Sequence, residues 1–147
     1  MKELNSTNFK EVGETEKELF IIQFYSDTCG PCKAMTPVMQ KLEENNNTNG
    51  SSLNIYKVNT GVDFEIAGQF DVRSVPTIVF CDGPDEIYRF VGSTPLVDLQ
   101  HVIDNRFDDY FMEHGEFRVE KSNTDYKWLV ISILVIVIIY VLFYFLS

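Results

Sequence analysis

Positive charge is scarce in this sequence. Lys and Arg number 12 against 22 Asp and Glu, a net charge of −10, and no Lys/Arg cluster forms. Holding nucleic acid takes a basic face that neutralises phosphates. Nucleic acid is therefore excluded as a partner, and the acidity reads as a solubility feature. Cysteine is scarce too: three residues do not make the disulfide framework of a small secreted domain. A structural zinc site needs four Cys or His ligands, usually in two spaced pairs. Beyond Cys29 and Cys32 the candidates are Cys81, His101 and His114, none of them paired, so no metal site is expected. No signal peptide is expected either. The opening MKELNSTNFK is polar, and the first apolar run, Leu19–Tyr25, is too short and too late to serve as one. The N-x-[ST] triplets at Asn5, Asn46 and Asn49 then carry little weight, and a reducing compartment is expected for the main domain. No internal repeat is present.

What remains is enough for one domain. Of 147 residues, an apolar tail takes the last part. The remaining ~110 to 125 suffice for a single hydrophobic core. Ser6 is placed to cap a short helix through Phe9 and Val12. ELFIIQFYS reads as a strand buried on both faces. A helix follows Cys29, with Ala34, Met35, Val38, Met39 and Leu42 at spacings of three and four and a kink expected at Pro37. ENNNTNGSS is a run of turn formers, LNIYKVN a strand, and DFEIAGQF a short helix. PTIVFC, DGPD and EIYRFVG read as strand, turn and strand. In TPLVDLQHVIDNRF, Thr94 is placed to cap a helix with Pro95 at its first position and an apolar face of Leu96, Leu99, Val102, Ile103 and Phe107. The order (α)βαβαββα predicts an α/β fold, a central mixed sheet flanked by helices.

The division expected is a domain over residues 1–107, a polar acidic linker over 108–127 and a transmembrane helix over 128–146. This last stretch, WLVISILVIVIIYVLFYFL, holds no charge, Gly or Pro. Nineteen residues at 1.5 Å each span about 28 Å, close to the ~30 Å hydrocarbon core of a bilayer. Tyr126, Trp128 and Tyr144 fall near the two interfaces, where aromatic belts form. With only Ser147 beyond it, the span reads as a single-pass C-terminal tail anchor. Arg118, Lys121 and Lys127 flank its N-terminal side, which orients the domain toward the cytosol by the positive-inside tendency.

The chemistry sits in SDTCGPCKAM. A disulfide across two residues closes too small a loop to stabilise much by itself. A redox couple fits better. Between a strand and a helix, the Cys29 sulfur faces a helix N-terminus, where N–H groups and the dipole favour a thiolate. Cys32 lies one turn on, shielded but within reach. Pro31 fixes φ at the helix start and holds the pair at bridging distance. C-x-x-C beside a strand–helix–strand pattern is a redox signature.

Over roughly residues 5–107 the sequence resembles the thioredoxin family. The resemblance rests on FIIQFYS, CGPCKAM followed by Pro37, YKVN, FDVRSVPT and the hairpin ending RFVGS, in that order. It implies a thioredoxin fold and a thiol–disulfide oxidoreductase that needs no cofactor beyond the Cys29–Cys32 pair. Cys29 would attack a substrate disulfide and Cys32 would resolve the mixed disulfide. Pro76 matches the family's cis-proline, and Val75 would offer its backbone to an extended substrate. Gly92, with Thr28, Gly30 and Pro31, would complete the substrate-facing surface. Disulfide-bearing proteins are the implied substrates, and a thioredoxin reductase the implied electron source. Two positions depart from the family pattern. Thr28 stands where a Trp is usual, and Gln23 stands where a buried Asp normally exchanges a proton with the second cysteine. Lys57 matches the lysine beside that Asp and is expected here to lack its partner. Cys81 reads as a small core residue. The rival expectation is a thioredoxin-fold binding or structural module, including one in a viral or organelle membrane assembly, with little turnover.

Overall fold

The computed structural model describes residues 1–47, 52–114 and 144. The organising strand is β2 (Leu19–Tyr25), whose first six residues are buried. It pairs in parallel with β3 (Asn54–Asn59) and antiparallel with β4 (Thr77–Asp82). With strands on both edges and helices on both faces, only a continuous apolar run satisfies its environment. β5 (Asp85–Val91) adds a hairpin to β4 across a turn in which Gly83 takes φ 58°, a conformation that favours glycine. The far edge is β1 (Lys2–Glu3), parallel to β3, giving the order β1-β3-β2-β4-β5. This is a mixed sheet with the thioredoxin arrangement.

Alternation along β2 sorts the core into two layers. Leu19 and Ile21 meet Met35, Met39 and Leu42 of α2 (Gly30–Asn47) and Leu99, Val102 and Ile103 of α4 (Leu96–Asn105). Phe20, Ile22 and Phe24 meet Phe9 and Val12 of α1 (Phe9–Thr15) and Ile66 and Ala67 of α3 (Phe64–Gln69). Gln23 falls in the alternation with Leu19 and Ile21, on the side that carries α2.

Several boundaries differ from the sequence expectation. β1 forms from two exposed polar residues; its warrant is the backbone ladder to β3, not burial. Asn8, not Ser6, stands at the cap position of α1, and Ser6 N–H instead donates to Asp63. α2 runs on into the ENNN segment because Asn46 is held by Leu42 O at 2.8 Å and by Gln100 at 2.9 Å. Pro95, not Thr94, precedes the first turn of α4; Thr94 N–H is engaged by Met35 Sδ at 3.4 Å. Phe107 is exposed rather than part of the α4 face, because α4 ends at Asn105. A further short helix, α5 (Asp109–His114), follows.

By its contacts the chain divides into two units, Met1–Phe117 and Arg118–Ser147. Among the described residues no helix is long and apolar enough to cross a membrane. The span expected over 128–146 lies outside them, Tyr144 excepted.

Candidate active site

Because β4 runs antiparallel to β2, the start of β4 lies at the end where β2 stops. The loop that follows β2 and the loop that precedes β4 therefore meet. Past Tyr25 the chain turns, with Cys29 N–H donating to Ser26 O at 3.1 Å. Ser26 and Thr28 hydroxyls lie 3.1 Å apart. α2 then begins at Gly30, with its first backbone bond from Lys33 N–H to Cys29 O at 3.3 Å.

Cys29 is thus the residue at the mouth of the helix. Its Sγ accepts the Cys32 N–H at 3.1 Å, as an N-capping side chain does. Pro31 has no N–H to leave unsatisfied at that point. A thiolate on Cys29 would gain this N–H and the positive end of the helix. Cys29 and Cys32 are bonded, with S–S 2.04 Å and Cα–Cα 5.2 Å. Cys29 is half-buried, while Cys32 is only 3% exposed. The outer sulfur is the accessible one.

Val75 O lies 3.7 Å from Cys29 Sγ, and the Val75–Pro76 bond is cis. Pro76 O accepts the Gly92 N–H at 2.8 Å, tying the end of β5 to this loop. Gly92 has φ 98°, and a side chain placed there would point into open space. Its place is set by backbone conformation, and it leaves the surface flat. Thr28, Gly30 and Pro31 are exposed beside the pair.

On the inner side, Gln23 is buried between Lys57 of β3 and Ile78 of β4. A cavity of about 150 Å³ joins it to Cys32, Asp27, Lys33, Thr36 and Lys57. Lys57 does not lack a partner: its ammonium meets Glu3 of β1 at 2.6 Å and stacks 5.5 Å over the Tyr25 ring. The hydrogen bond to Glu3 pushes the Lys57 pKa up against the opposing effect of burial. Burial first, then the Glu3 charge, push the Tyr25 phenol up, with Lys57 opposing. Sequence reasoning missed Glu3 because β1 has no apolar pattern and reaches Lys57 only through strand pairing. It also left Asp27 unassigned.

Cys81 is buried on the other face of the sheet, so it takes no part in this constellation. Among the described residues no cluster of three or more His, Cys, Asp or Glu side chains could hold a metal.

A family model, Thioredoxin, matches residues 1–105. The chain belongs to the thioredoxin family. Thioredoxin of Listeria monocytogenes is 29% identical over 103 residues, which is 70% of this chain and 95% of that protein. Thioredoxin-2 of Saccharomyces cerevisiae is 31% identical over 88 residues, 60% of this chain and 81% of the yeast protein. The oxidised form of mitochondrial thioredoxin 3 from the same yeast superposes with a TM-score of 0.62 at 26% identity, covering 71% of this chain and 94% of that one. Family membership together with the bonded Cys29–Cys32 pair makes this thioredoxin-like chain a thiol–disulfide oxidoreductase.

Proposed function

We propose that the chain reduces protein disulfides while tethered to a membrane. The carrying observation is the Cys29–Cys32 pair at the mouth of α2, with the outer sulfur half-buried and Val75 O 3.7 Å away. Cys29 is the attacking sulfur, because it combines access with the helix N-terminus. Cys32 is the resolving sulfur. Val75 and the flat surface at Gly92 receive an extended stretch of substrate, pairing with it through backbone hydrogen bonds. Pro76 supports that ledge, and Thr28, Gly30 and Pro31 contact the substrate beside the disulfide. The reaction uses no cofactor other than the pair. A thioredoxin reductase restores the dithiol.

The tether is the apolar stretch over 128–146, with the redox domain over 1–107 and the polar stretch over 108–127 between them. Because α5 takes up Asp109–His114, the thirteen residues from 115 to 127 remain to span the gap, and at ~3.3 Å each they reach about 43 Å at most. Substrates at or near the membrane surface are therefore favoured over a dispersed pool. The basic flank supports a domain on the cytosolic side.

The deciding experiment is reduction of insulin disulfides in dithiothreitol. The full chain in mild detergent accelerates precipitation, and Cys29→Ser abolishes the acceleration. A domain that serves only as a docking platform gives none. Substrates are identified with Cys32→Ser, which holds the mixed disulfide on Cys29. Protease added to intact microsomes should digest the domain; protection, or glycosylation at Asn46 or Asn49, would reverse the topology.

A further inference from the structure

Resolution of the mixed disulfide requires the Cys32 thiol to give up a proton inside the protein. Gln23, the buried polar residue of the sheet that shares a cavity with Cys32, is an amide and cannot take it. The cavity beside Cys32 offers another route. Its volume of about 150 Å³ is well above the ~15 Å³ that houses one water, and Gln23, Ser26 and Thr36 stand among its lining residues as hydrogen-bonding partners for one.

The charged and titratable groups around it come from each packed element. β2 contributes Tyr25, whose phenol is pushed up and stays protonated. α2 contributes Lys33, and β3 contributes Lys57, held by Glu3 of β1. A lysine ammonium is a donor with no lone pair to offer. The Met1 amine is paired with Glu43 of α2 at 2.7 Å. The loop after β2 contributes Asp27, the one carboxylate among the lining residues. Asp27 Oδ2 accepts from Asn59 Nδ2 at 2.9 Å, and Asn59 Oδ1 is itself fixed by Gly61 N–H at 3.0 Å. Asp27 is exposed, so its carboxylate stands at the solvent side of the cavity it lines, anchored there from the end of β3.

We infer that Asp27 is the positioning residue for the water that carries the Cys32 proton, standing in for the buried carboxylate that Gln23 replaces. The inference rests on thiol–disulfide exchange through Cys29 and Cys32. In the step, the Cys32 S–H proton passes through water to the Asp27 carboxylate. The Cys32 thiolate attacks Cys29 Sγ; the Cys29–Cys32 bond forms as the bond from Cys29 to the substrate sulfur breaks. The substrate sulfur leaves as a thiolate and is protonated. The two electrons that reduce the substrate disulfide come from the cysteine pair. In the reverse direction Asp27 returns the proton as Cys32 leaves.

The test is single-turnover reduction of insulin by the pre-reduced full chain in detergent, with acid-quenched samples scored for the mixed disulfide, from pH 6 to 9.5. Asp27→Asn should resolve roughly ten- to a hundredfold more slowly near pH 7, with the mixed disulfide accumulating. The deficit should shrink toward pH 9.5, where hydroxide competes with the carboxylate as the proton acceptor. Asp27→Glu should recover most of the rate, and Gln23→Asp added to Asp27→Asn should restore resolution by the buried route. A native pH profile in Asp27→Asn, or a loss equal at every pH, would overturn the inference. If the native chain itself does not reduce insulin, the redox reading fails, and that outcome is distinct from either.

Discussion

Cys81 decides whether this chemistry uses two thiols or three. It is 3% exposed and lines a small apolar cavity of about 80 Å³ with Phe9, Phe20 and Phe70. Burial pushes its thiol up to about 12, the Glu86 carboxylate adds to the effect and Arg89 opposes it. At pH 8 that leaves a thiolate fraction of about 10⁻⁴, against roughly a quarter for an ordinary cysteine. In the oxidised protein Cys29 and Cys32 do not titrate, so iodoacetamide should label the folded chain at least ~10³-fold more slowly than the unfolded one. The same shift sets a pH dependence. Below the unfolded pKa of ~8.5 to 9 both states hold the proton. Above it the unfolded state loses the proton first, so stability falls by about 1.4 kcal/mol per pH unit until the folded thiol titrates. By pH 10 the loss is about 1.5 to 2 kcal/mol, and it barely changes if the folded value is a unit lower. A domain of this size should then melt roughly 8 °C lower on that account. Cys81→Ala removes the effect and leaves every other titrating group in place. Its constant cost from the lost sulfur cancels when melts of the oxidised chain at pH 7 and pH 10 are compared. Native protein should lose more than the variant between those two conditions. An equal loss, or labelling at pH 8 at the rate of a free thiol, would refute the burial argument and reopen a third redox thiol.

In the reduced protein near neutral pH, Cys29 should alkylate before Cys32 and Cys81; equal labelling of all three, read by mass spectrometry, would contradict its place at the helix mouth. Gln23→Asp puts a carboxylate beside the pair and opposes the thiolate, so a glutathione titration should give a potential lower by on the order of 30 mV, with faster resolution of mixed disulfides. An equal or higher potential would sink that account. Lys57 is raised by Glu3, so its contribution is fully present below the unfolded value near 10.5 and is lost as pH rises through the raised folded value. Glu3→Gln should thus cost under about 1 kcal/mol in urea melts at pH 7, since both groups are substantially solvated, and nothing measurable once pH has passed the raised folded value.

The parts of the fold legible in sequence are those where burial dictates residue type. β2 and β4 are apolar but for Gln23, Thr77 and Asp82 because both of their faces are covered, and Leu99, Val102 and Ile103 repeat at the helical period because one face of α4 meets the sheet. The cysteine pair was legible for a different reason: its spacing is short and local. What escaped is held by partners distant in sequence. Glu3 reaches Lys57 across 54 positions through two residues of strand pairing. Asn46 reads as a turn former, yet Leu42 O and Gln100 keep it helical. Asp27 looked like any loop aspartate until Asn59 and the cavity gave it a direction. The places of Pro76 and Gly92 beside the pair came from family resemblance alone, since neither local pattern nor propensity brings residue 76 to residue 29.

That last pairing bears on assembly during folding. Cys29 and Val75 are 46 positions apart and meet only when β2 and β4 have registered antiparallel. A fragment ending at Asn47 would hold both cysteines and the whole of α2, able to cycle between thiol and disulfide like any short dithiol peptide. It would have no ledge on which to seat a substrate. Reactivity is a local property of this chain, whereas recognition is a high-contact-order property that arrives late, with the non-local strand pairing. While the protein is being made it should pass through a stage at which it can be oxidised but cannot yet choose what it reacts with.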